Sequence, residues 1–288
     1  MNKVYRAERK IRMSDVKECP PQVVGVGYPD FWQHVLDQFP KFFGTASLEL
    51  VDVGNTAFRG SLSEPLHKIA RHLARMVFNS IGSVSVLALN GSGVDAMKIA
   101  RGMFETSVTL GYLRVHPEQV DDYLDYHCVI QKQRLDFMKE HEPDRLKLLP
   151  PELLQEIEAG FARVAPRFQN RKGKLRTSWS KASIREMARD VGKEKLYLTF
   201  YRFASSIHHG DVGGAFAQTA SLTEDDVLDV EIVPSDAWLR EALIIAHGAV
   251  VSVLVDYNEI TKAGIDEVVD QAHKSFLATW GEEQPEAS

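Results

Sequence analysis

The chain has 288 residues, 44% of them hydrophobic and 26% charged, with a formal net charge of −6. That balance belongs to a globular protein able to bury roughly three quarters of its unfolded surface, and its acidity argues against one that coats nucleic acid indiscriminately. Its two cysteines, Cys19 and Cys128, lie outside any CxxC or metal-ligand spacing, which argues against a disulfide framework or a zinc knuckle.

Residues 1–27 are basic and then broken by Pro20, Pro21, Gly25 and Gly27, a pattern that predicts an arm rather than core. The arm has no apolar signal segment, and the longest apolar run, Ala242 to Val255, is too short to span a bilayer. A cytoplasmic protein with no membrane contact is expected. Residues 28–280 read as a single helical domain, and 281–288 as a polar, disordered tail.

Tyr28 to Val53 is helical with a break near Pro40 and Gly44. Ser63 is placed to cap a helix with Pro65 in its first turn, and Leu66, Ile69, Leu73, Met76, Val77 and Ile81 keep helical period to about Leu89. Asn90-Gly91-Ser92-Gly93 stops that helix, and Ser92 with Asp95 resembles a capping box for the next, which runs to about Arg114. The glycine-rich stop also has the composition of an anion cradle, although an end followed by a start accounts for it. Inside that mostly apolar helix Arg101 and Glu105 stand four apart, an ion pair by the plainest reading and the wall of a cavity by the sharper one.

Pro117 opens a helix to about His141 with Val120, Leu124, Cys128, Leu135 and Met138 expected inward. A shorter helix is expected from Glu152 to about Val164. No acidic residue then occurs between Glu158 and Glu186, while Arg163, Arg167, Arg171, Lys172, Lys174, Arg176, Lys181 and Arg185 are all basic. In a chain of net −6 this is the clearest charge asymmetry, and Arg167, Arg171, Lys172, Lys174 and Arg176, with Phe168 and Trp179 interleaved, form a candidate RNA contact on a basic loop.

Ser183 and Glu186 make a capping box for a helix that Gly192 ends. The following helix has two faces. Leu196, Phe200, Phe203 and Ile207 form an apolar stripe, whereas Arg202, Ser205, Ser206 and His209 share a polar face. That polar face lacks the Glu, Lys and Gln of an ordinary solvated one and reads as a site wall. His208 precedes His209, and Gly210 and Asp211 follow. Residues 221–234 predict a loop or one short edge strand. Ser235 is placed to cap a long helix to about Ile260, and a last helix spans Ile265 to about Trp280. The whole predicts an all-α bundle of about eight helices.

GxGxxG after a strand, GxxxxGK[ST], GxSxG and HExxH are all missing. Glu105, His208, His209 and Asp211 have metal-ligating chemistry, but neighbouring histidines point apart on a helix, so neither a metal nor a cofactor is expected.

Trp179, then Ile184-Arg185-Glu186, then Tyr201-x3-Ser205-x3-His209-Gly210, with Arg101-x3-Glu105 upstream, resembles a widespread bacterial family of helical domains of unknown function. The segment Arg202-x6-His209, or Arg202-x5-His208, resembles more weakly the Arg-x4–6-His motif of the HEPN nucleases, although Phe203 rather than a polar residue follows the arginine. That second resemblance implies a homodimer that cleaves RNA without metal. In it His209 handles a proton at the ribose hydroxyl or leaving oxygen, and Arg202 holds the scissile phosphate. Arg202, His209, His208, Ser205, Glu105 and Arg101 are then the candidate catalytic residues. A non-catalytic module binding a small ligand or partner protein, and an enzyme acting on a small molecule or through a metal, are the alternatives.

Overall fold

The computed structural model describes residues 28–170, 172–209, 219–222, 228–230 and 234–281. The arm expected over 1–27, Arg171, Gly210, Asp211 and the tail after Gly281 lie outside them.

In chain order the helices are α1 (Pro29–Gln38), α2 (Ser47–Thr56), α3 (Pro65–Leu89), α4 (Gly93–Val115), α5 (Val120–His141), α6 (Pro143–Leu146), α7 (Pro151–Phe168), α8 (Ile184–Asp190), α9 (Glu194–Leu196), α10 (Arg202–His209), α11 (Leu239–Thr261) and α12 (Asp266–Trp280). Among the described residues the fold is all-α apart from two short strands, β1 (Thr219–Leu222) and β2 (Leu228–Val230), which pair antiparallel where a loop or a single edge strand was expected.

The long helices α3, α4 and α11 pack against one another and form the centre. Along α3, Ile69, Leu73, Val77, Ile81, Val84 and Ala88 are buried, as the helical period requires, while Met76 is exposed. By length and composition α3 is apolar enough to cross a membrane, yet this row of side chains lies in the protein core. Pro65 sits in its first turn with Glu64, not Ser63, as the preceding cap residue.

The glycine stop between α3 and α4 is a packing device. Gly91 has φ +67°, and a Cβ there would lie 2.6 Å from Pro234. A Cβ on Gly93 would lie 1.9 Å from the Ala237 carbonyl oxygen. Only glycine lets the backbones come this close, and Ser235 N donates to Gly91 O at 3.0 Å across the contact. The 234–237 segment therefore occupies the space that an anion would need. It also replaces the expected Ser92–Asp95 box: Ser92 makes no side-chain capping bond, and Asp95 pairs with Lys98 instead. The same segment delays α11, which begins at Leu239 after Trp238 at φ 65° rather than at Ser235.

Helices α5 and α7 form a hairpin beside the main core, with a small core of their own from Val129, Val164 and Phe168. Of the residues expected inward on α5, Val120 and Leu135 are buried, Cys128 and Met138 are half-buried and Leu124 is exposed. α7 continues past Val164 to Phe168, through Pro166. At the other end of the bundle, Trp280 of α12 donates from Nε1 to His247 Nδ1 at 3.1 Å. Phe42 and Phe276 flank that imidazole.

Candidate functional site between α4 and α10

A π-helical turn, Tyr197–Tyr201, joins α9 to α10. Such turns shift the side-chain register and occur often at functional sites. Here the shift leaves Leu196 exposed while Phe200, Tyr201, Ala204 and Ile207 are buried, so the expected apolar stripe loses its first member. Phe203, half-buried, packs on Trp238 at 4.5 Å.

Tyr201 is the meeting point. Arg101 Nη2 donates to its hydroxyl at 2.8 Å, and that hydroxyl donates to Glu105 Oε2 at 3.2 Å. The Arg101 guanidinium also lies over the Tyr201 ring, 4.7 Å from its centroid, and stands 3.6 Å from Glu105. Tyr197 stacks on the ring at 5.0 Å. Burial, with the nearby Glu105 charge second, pushes the Tyr201 phenol up to about 12. The Arg101–Glu105 pair of the helical spacing is thus real, but a tyrosine completes it. The Arg101 side chain is 16% exposed and Glu105 44%, so the cluster opens to solvent on the glutamate side.

At 100° per residue, Arg202 and His209 lie within about 20° of each other on α10, and His208 lies within about 20° of Tyr201. Arg202, His208 and His209 are exposed and Ser205 is half-buried. The two imidazoles are 5.2 Å apart and nearly perpendicular. Arg202 and His209 therefore share one exposed face of α10, and His208, also exposed, lies near the azimuth of Tyr201. Ser205 lies one turn beyond Tyr201.

The basic stretch divides into three parts. Arg163 and Arg167 on α7 bond Asp125 on α5, Arg167 also bonding Asp122 at 2.9 Å. Burial raises the Asp125 carboxyl, but the two arginines outweigh it and hold the group below its usual value. Lys172 and Lys174 are exposed on a tight turn held by Asn170, whose Oδ1 accepts from both of their backbone N–H groups. Arg176 is turned inward, its Nη2 donating to the Arg167 carbonyl at 3.2 Å and its guanidinium 5.0 Å over Phe168.

A second polar cluster had no signal in the local sequence. Lys193 reaches Ser107 at 3.4 Å and also donates to Ser252. Nearby, Arg114 donates to the buried Asp256 at 2.8 Å and to Glu259 at 2.6 Å. Burial lowers the Lys193 ammonium and raises the Asp256 carboxyl from their ordinary values. These residues tie α4 and α11 to the link after α8, and the spacing of none of them marks it as internal.

Among the described residues no group of three or more His, Cys, Asp or Glu side chains is arranged as a metal site. A protein-family model described as "Family of unknown function (DUF5677)" matches residues 67–226, more than half of the chain and all of the Arg101–Glu105–Tyr201 cluster and α10. No curated protein and no solved structure matches.

Proposed function

The chain belongs to the DUF5677 family, and from the geometry of α10 we propose that it cleaves RNA without a metal ion. One observation carries this reading: Arg202 and His209 are both exposed and share one face of a helix that Tyr201 anchors to α4. Arginine grips a phosphate as a planar fork, and histidine as a residue type exchanges protons near neutrality. In the proposed step the ribose 2′-hydroxyl gives its proton to His209 as its oxygen attacks phosphorus. The P–O5′ bond breaks, and the products are a 2′,3′-cyclic phosphate and a 5′-hydroxyl that takes up a proton. Arg202 neutralises the phosphoryl oxygens throughout. A homodimer would set two such faces together, and Lys172 and Lys174 would guide the strand.

The test compares an RNA oligonucleotide with the same oligonucleotide carrying a 2′-deoxy sugar at the cleaved position, both in excess chelator. Cleavage of the first alone, with a cyclic phosphate end, supports the reading. Equal cleavage of both, or cleavage that stops with chelator, refutes it.

A non-catalytic binding module is the second reading. It is favoured by one observation: Asp122 and Asp125 neutralise two of the arginines that would otherwise face RNA.

A further inference from the structure

Lys193 stands where three parts of the chain meet. On α4, Ser107, Gly111 and Arg114 fall at i, i+4 and i+7, and on α11 so do Ser252, Asp256 and Glu259, so each set shares one helix face. The two faces oppose each other. Arg114 Nε donates to Asp256 at 2.8 Å, and a Cβ on Gly111 would lie 3.2 Å from Asp256 Oδ2 and 3.3 Å from Val191 Cγ1. The Lys193 ammonium enters this seam and donates to Ser107 O and Ser107 Oγ, both at 3.4 Å, and to Ser252 Oγ. An ammonium has three N–H donors, and three oxygens meet it here. A buried ion is costly unless its donors are matched in this way, and matching them fixes the backbone that carries the lysine.

That backbone leads directly to α10. Lys193 O accepts from Tyr197 N at 3.0 Å, and Tyr197 O accepts from Arg202 N across the π-helical turn. Two backbone hydrogen bonds therefore connect Lys193 to Arg202, and α10 carries His209 with it. Tyr201, bonded to Arg101 and Glu105, pins the same segment to α4 a second time. One pin would leave the segment free to turn about Tyr201; two fix its orientation.

We propose that Lys193 is the positioning residue for the Arg202–His209 face: its ammonium, held in the α4–α11 seam, sets the orientation in which α10 presents that pair. The consequence for catalysis rests on the RNA-cleaving reading, and the orientation itself does not.

Two variants of the full chain test this. Lys193→Met keeps a long unbranched side chain in the seam and removes every N–H, while Ser252→Ala removes one acceptor and leaves the lysine in place. In both, hydrogen exchange should quicken over residues 194–209 while α3 keeps its protection. In single-turnover cleavage with excess chelator the maximal rate should fall at least about tenfold, since a displacement of about 1 Å costs as much as 10²-fold. The RNA concentration at half-maximal rate should stay parental, because Arg202, Lys172 and Lys174 are intact. Exchange over 194–209 that matches the parent in both variants, or a rise shared equally by α3, overturns the proposal. So does weaker RNA binding with the maximal rate intact. If the parent does not cleave RNA, the functional reading fails and the exchange result alone decides the role of Lys193. If Lys193→Met fails to fold, Ser252→Ala decides it.

Discussion

The Arg101 guanidinium meets Tyr201, one hundred residues later in the chain, in two ways at once: over the ring at 4.7 Å and through the hydroxyl at 2.8 Å. Removing only the hydroxyl in Tyr201→Phe keeps the ring contact and separates the two effects. Hydrogen bonds to charged groups contribute about 1.5–3 kcal/mol, and Glu105 is open to water, so a loss near the low end of that range is expected in urea unfolding. Because the folded phenol titrates near 12, above its ordinary 10, its contribution is complete below pH 10 and lost as pH rises from 10 to 12. An ultraviolet titration that shows every tyrosine ionising near pH 10 would contradict this.

His247 gives the opposite sign. Burial lowers its imidazole to about 4, and Nδ1 already accepts from Trp280 while buried Nε2 has no acceptor among the described residues. The depressed value means that stability is present above pH 6.5 and is lost as pH falls from 6.5 toward 4. Thermal unfolding followed across that window should show a decline that His247→Gln flattens. An identical pH dependence in parent and variant removes His247 as the cause.

The two arginine clusters should respond differently to truncation. Arg114→Ala removes the hydrogen-bonding partner of Asp256, which is 5% exposed and keeps only the Lys193 charge nearby, and loss of a partner from a buried pair costs up to about 3–5 kcal/mol. Arg163→Ala breaks a pair whose arginine is 62% exposed, where about 0–1 kcal/mol is typical. Urea midpoints for the two variants within experimental error of each other would show that the Asp256 site is not a buried pair in solution.

Among the described residues, Lys172 and Lys174 are the exposed cations of the basic turn. If the chain binds RNA as proposed, replacing both with Glu should weaken binding and reduce the slope of log affinity against log salt by about 2. An unchanged slope would leave the turn with no part in binding.

What the sequence reveals follows the range of the interaction. The Ser183–Glu186 capping box forms as read because its two partners are three residues apart. The Ser92–Asp95 box, of similar appearance, does not form because a segment more than 140 positions later packs on Gly91 and Gly93. Helical spacing pairs Arg101 with Glu105, yet spacing has no means of bringing Tyr201 between them. Lys193, Asp256 and Arg114 look like ordinary surface residues until α4 and α11 enclose them. The charge run from Arg163 to Arg176 was legible as a run, but the acids that neutralise part of it lie on α5.

The central claim is that the outward pair on α10 performs the chemistry, and single-turnover cleavage of one RNA in excess chelator tests it most directly. Parent, His209→Ala, Arg202→Ala and His208→Ala are compared, with circular dichroism confirming that each is folded. General acid–base catalysis contributes on the order of 10²–10⁴-fold. His209→Ala should therefore lose at least about 10²-fold, Arg202→Ala a similar amount, and His208→Ala clearly less. Cleavage by His209→Ala at the parental rate, or no cleavage by the parent, contradicts the account.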